Sequence, residues 1–104
     1  MSMRKLSENG KVAVLYSPGF GAGWYSWNQH CPELLFDPAM VKLVEKEQYD
    51  ELATYVELKY PGIFTGGLYD LKVEWLDEGK KFRVIEYDGS ESIEVEDEID
   101  WMIA

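Results

Sequence analysis

The chain has 104 residues, 46% hydrophobic and 14% aromatic, with a formal net charge of -10. That is enough apolar sequence for one packed domain and too little length for two. The acidic balance works against nucleic acid or anionic membrane as a direct partner, and the longest apolar run, residues 12–16, falls far short of the roughly 20 residues a membrane helix needs.

No apolar stretch of signal-peptide length follows the basic residues of "MSMRKLSENG", so a cytoplasmic location is the expectation. "GKVAVLY" alternates too little for a half-exposed strand and predicts a buried one over Lys11–Tyr16. Ser17-Pro18-Gly19 ends it, because proline lacks the ladder donor and glycine breaks the run.

The loop "YSPGFGAGWYSWNQH" then packs glycines among tryptophans, a tyrosine and a phenylalanine. Its spacing is G-x-G-x-G, not the G-x-G-x-x-G of a dinucleotide-binding turn, and no Gly-Lys-Ser/Thr marks a P-loop. Glycines leave backbone N–H groups open to an anion, and indole faces suit stacking of a base. Asn28 offers a donor and an acceptor. The competing structural reading has Trp24 and Trp27 covering the sheet while the glycines make turns.

"CPELLF" reads as a short connection with one helical turn. His30-Cys31 is a weak nucleophile arrangement, since sequence neighbours seldom aim at each other and the chain has no second histidine. Cys31, the single cysteine, excludes an intrachain disulfide and a cysteine-based metal cluster. Asp37-Pro38 is a helix start, an N-cap oxygen before proline at the first helical position. Met40, Leu43 and Val44 share one face of that helix. Tyr49, Leu52, Ala53, Val56 and Tyr60 form a second helical register, with a kink or new N-terminus over residues 47–50. Pro61-Gly62 stops it.

A second glycine loop, "GIFTGGLYD", leads to "LKVEWL" and "FRVIEY", alternating strands expected to form a hairpin through "DEGKK". Asp88-Gly89 predicts a two-residue hairpin turn with "SIEVE" returning. Ser90 and Ser92 beside Glu91 read as hairpin decoration, and the apolar tail "IDWMIA" as a further strand or edge turn. Arg83 finds a partner in Glu74 or Glu94, or else acts as a fork for phosphate. Val12, Val14, Leu43, Leu52, Val56, Val73, Trp75, Val84 and Ile85 are the expected core. The whole predicts a single α+β domain: an N-terminal strand, two helices, then a mainly antiparallel C-terminal hairpin sheet.

Residues 86–100 hold eight carboxylates and no basic residue. Such a face either keeps the protein dispersed or imitates a polyanion and blocks a nucleic-acid enzyme. Glu91, Glu94, Glu96 and Asp97 are its candidate contacts. The candidate contacts for a small nucleotide-derived ligand are Ser17, Gly19, Phe20, Gly21, Gly23, Trp24, Trp27 and Asn28, with Gly66, Gly67 and Arg83 completing the pocket. No catalytic constellation, metal-ligand spacing or cofactor motif stands out. The dense aromatics and the "WMIA" tail predict a homo-oligomer.

"SPGFGAGWYSWN", "LLFDP" and "FRVIEYDGSESI" together resemble segments of small acidic phage and prophage proteins of similar length. The resemblance implies a phage-like setting, hence host cytoplasm, and a role in binding: blocking a host defence protein or sequestering a nucleotide signal. It implies no catalytic residue.

Overall fold

The computed structural model describes residues 5–19 and 23–95. Asn9 and Gly10 both take positive φ, 52° and 76°, which folds β1 (Ser7–Glu8) back along β2 (Lys11–Tyr16). Ala13, Val14 and Leu15 of β2 are all buried, as a strand covered on both faces requires.

Short 3-10 turns at Tyr25–Trp27 and Pro32–Leu35 lead to α1 (Pro38–Glu45). Asp37 caps α1 by accepting hydrogen bonds from the Ala39 and Met40 N–H groups. Glu47, at φ 57°, breaks the chain out of the helix, so residues 47–50 hold a new N-terminus and not a kink. α2 (Tyr49–Lys59) turns Leu52 and Val56 fully inward, flanked by Tyr49, Ala53 and Tyr60. Gly62, at φ 86°, carries the chain away after it.

A last 3-10 turn, Leu68–Asp70, precedes β3 (Lys72–Asp77). β3 pairs antiparallel with β2 along its length, with Ala13 opposite Trp75. β4 (Phe82–Tyr87) and β5 (Ser90–Val95) form an antiparallel hairpin whose turn, Asp88-Gly89, has φ 51° and 84°. These are the two positive values that a type I′ turn demands.

The expected β3–β4 hairpin is therefore corrected. The turn exists, closed by Lys80 N–H to Asp77 C=O at 3.1 Å, but its two strands enter different sheets. β3 completes the three-stranded sheet β1-β2-β3, while β4–β5 forms a sheet of its own. Side-chain burial explains the choice. Ala13 and Leu15 face α1 and α2, whereas Val14 and Leu76 on the opposite face need cover. Phe82, Val84, Ile93 and Val95 of the hairpin supply it, together with Leu35 and Phe36.

The result is three layers, helices on sheet on hairpin, in an α+β fold whose strand pairs among the described residues are all antiparallel. Of the expected core, Val14, Leu52 and Val56 are fully buried. Val12, Leu43, Val73, Trp75, Val84 and Ile85 are half-buried. Among the described residues no helix is long and apolar enough to cross a membrane. The tail "IDWMIA", with its expected strand and interface, lies outside the described residues, as do Glu96 and Asp97.

Candidate functional site

The glycine-aromatic loop closes on a carboxylate of the hairpin. Glu91 lies in phase with Ile93 and Val95 on the inward side of β5 and is only 1% exposed. Its Oε1 accepts from the Ser17 N–H at 2.9 Å. Its Oε2 accepts from the N–H groups of Trp24 and Ser26, both at 2.8 Å, and from the Ser26 hydroxyl at 2.7 Å. The Glu91 N–H donates in turn to the Ser17 carbonyl at 2.8 Å, and the Ser90 hydroxyl to the Pro18 carbonyl at 2.7 Å.

Two expectations are corrected here. The loop donors that were to meet a ligand anion already hold Glu91. Ser90 and Glu91 are anchors, not decoration, and Glu91 is not part of any acidic face.

Other expected contacts are also spent internally. Trp24 is 0% exposed, and its indole N–H donates to the Leu34 carbonyl at 2.9 Å, so it is core and offers no stacking face. The Ser17 hydroxyl donates to the Gly67 carbonyl at 2.9 Å. Gly67 fits because a Cβ there would strike the Gly23 carbonyl and the Ser17 hydroxyl, and a Cβ on Gly19 would strike the Asp70 carboxylate. Arg83 pairs with Glu94 across the hairpin, Nε at 3.0 Å and Nη2 at 2.6 Å, which is one of the two partners expected and not a phosphate fork. Phe20 and Gly21 lie outside the described residues.

Trp27 alone of the two loop indoles reaches the surface. It is 57% exposed, beside Phe64 at 45%, with ring centroids 5.7 Å apart and planes tilted by 42°. Buried Asn28 fixes this pair. Its amide donates to the Trp24 and Phe64 carbonyls and its carbonyl accepts from the Phe64 N–H, each at 2.9 Å. Both rings sit against glycines, since a Cβ on Gly23 would strike the Trp27 ring and one on Gly66 the Phe64 ring. The glycines are seats for aromatics. Phe64, Asn28's partner across 36 residues, was missed from sequence, and its local signal was a bulky residue in a short segment between Pro61-Gly62 and Gly66-Gly67.

Ile63 and Thr65, the chain neighbours of Phe64, line an open cleft of about 490 Å³ with Val56, Glu57, Tyr60, Leu68 and Tyr69. Behind its Tyr60 wall lies a second buried carboxylate. Asp37 Oδ2 accepts from the hydroxyls of Tyr60 at 2.6 Å and Tyr55 at 2.8 Å and from Lys59 Nζ at 3.0 Å. Burial alone would raise the Asp37 pKa, but these three donors outweigh it and hold the carboxyl below its ordinary value. Burial, then the bond to Asp37, pushes the Tyr60 phenol far upward. Among the described residues no three His, Cys, Asp or Glu side chains gather to hold a metal ion. No family model, curated protein or solved structure matches the chain.

Proposed function

We propose that the chain is a non-catalytic, phage-type binding protein that sequesters a small nucleotide-derived ligand by stacking its base on Trp27 and Phe64. The observation that carries this reading is the exposed pair itself, 5.7 Å between centroids, held by the buried amide of Asn28. Two aromatic faces fixed before binding lose little entropy on contact. The open cleft of about 490 Å³ beside Ile63 and Thr65, lined by neither ring of the pair, is of the size that small ligands fill. The phage resemblance supports sequestration over catalysis. Recognition belongs to the base and not to phosphate, because Glu91 fills the loop donors and Arg83 is paired.

Calorimetry against a panel of nucleosides, cyclic nucleotides, dinucleotides and ADP-ribose derivatives tests it. A nucleoside should bind about as well as its phosphates. Trp27→Ala or Phe64→Ala should weaken binding by about 1–3 kcal/mol with the fold intact. Mass spectrometry should recover the ligand unchanged. If no panel member binds, or both variants bind like wild type, the reading fails; a converted product would remove its non-catalytic half.

A further inference from the structure

Glu91 is held in the way a bound carboxylate is held. Four neutral donors converge on it: the N–H groups of Ser17, Trp24 and Ser26 and the Ser26 hydroxyl, all within 2.7–2.9 Å. Besides the bond from the Glu91 N–H to the Ser17 carbonyl, these donors are set by contacts that do not involve Glu91. The Ser17 hydroxyl is tied to Gly67, the Trp24 indole to Leu34, and Ser26 lies within the 3-10 turn Tyr25–Trp27. Water is shut out, with Glu91 1% exposed. Convergent backbone N–H groups of this kind are how proteins hold oxyanions.

We infer that Ser17, Trp24 and Ser26 form a carboxylate-binding cradle and that Glu91 is its tethered occupant. The division of donors, one on Oε1 and three on Oε2, suits a planar head with two oxygens. A tetrahedral phosphate would bury further oxygens that none of these donors meets. The tether keeps the local concentration of the Glu91 carboxylate high, so free carboxylates do not displace it from the intact chain. Removing the side chain leaves a vacancy that acetate matches, because Glu91→Ala deletes a methylene and a carboxylate. The inference is independent of stacking, since it concerns the main chain around Trp24 and Ser26 and not the rings of Trp27 and Phe64.

Thermal unfolding in sodium acetate, against sodium chloride of equal ionic strength, tests the cradle. In chloride, Glu91→Ala should melt roughly 10 °C or more below wild type, with its N–H groups buried and unmatched. Acetate should recover much of that loss along a saturating curve. Wild type and Glu91→Gln, whose cradles are filled, should respond to acetate no more than to chloride. Adding Ser26→Ala to Glu91→Ala should raise the acetate concentration for half-recovery about tenfold, one charge-assisted hydrogen bond being lost. Should Glu91→Ala show no cooperative transition in chloride, its appearance in acetate supports the cradle and its continued absence overturns it. Equal gains in wild type and Glu91→Ala, or an unchanged half-recovery concentration without Ser26, also overturn it.

Discussion

Each oxygen of Asp37 serves a different part of the chain. Oδ1 caps α1, while Oδ2 gathers Tyr55, Lys59 and Tyr60 at the end of α2. The folded pKa lies below the ordinary 3.8, so the carboxylate's stabilisation is complete above that value and is lost as pH falls through the folded pKa. Asp37→Asn keeps the cap but loses the charge. It should cost about 1.5–3 kcal/mol at pH 7, the worth of hydrogen bonds to a charged group. Urea unfolding should also show its acid limb flatter than that of wild type below about pH 4; parallel limbs would refute the assignment. Cys31 is shifted the other way. Burial first, then the S–H to Glu33 contact at 3.2 Å, pushes its thiol up to about 11. Its alkylation by iodoacetamide should therefore rise through pH 11 and not 9.0, and a rate already saturated at the lower value would contradict that environment.

Among the elements, those with local signals were legible in the sequence and those decided by distant partners were not. Asp37-Pro38, Asp88-Gly89 and the apolar run of β2 carry their own boundaries in a few residues. Whether β3 pairs with β2 or β4 depends on which sheet face lacks cover, and no short window contains that choice. Glu91 is the instructive miss. Its alternation with Ile93 and Val95 marks it as inward, yet the acidic run around it suggested solvent. The two loop tryptophans illustrate the same limit, for spacing could not separate buried Trp24 from exposed Trp27. The glycine loops now differ in a testable way. A methyl on Gly67 meets backbone at Gly23, which cannot yield, so Gly67→Ala should cost at least about 1–3 kcal/mol. The atoms nearest a methyl on Gly66 belong to the Phe64 side chain, so Gly66→Ala should disturb the stacking pair while the unfolding midpoint stays closer to that of wild type. Denaturant titration of both variants separates them, and a larger loss for Gly66→Ala would contradict the packing described.

At the scale of the whole molecule, ten basic groups face twenty acidic ones, and the ion pairs found among the described residues do little to offset the excess. Lys59–Asp37 has an exposed lysine, and Arg83–Glu94 is exposed at both ends. The exposed Arg83–Glu94 pair contributes about 0–1 kcal/mol and weakens with salt, whereas Lys59–Asp37, with its carboxylate buried, is screened less. Like-charge repulsion across the three layers weakens with salt as well, and it opposes folding. The two effects have opposite signs, so ionic strength decides which is larger. Raising sodium chloride from about 0.01 to 0.15 M shortens the screening length from about 30 to 8 Å. Over that change, repulsion between charges many ångström apart is screened most, whereas the paired atoms, at 3.0 and 2.6 Å, are closer than either screening length. Screening should thus relieve more repulsion than attraction. A net gain of about 1 kcal/mol would raise the thermal midpoint by about 4–8 °C for a domain of this size. A midpoint that falls with salt would show instead that the ion pairs outweigh a charge of -10, and that the acidic surface is more closely matched than its composition implies.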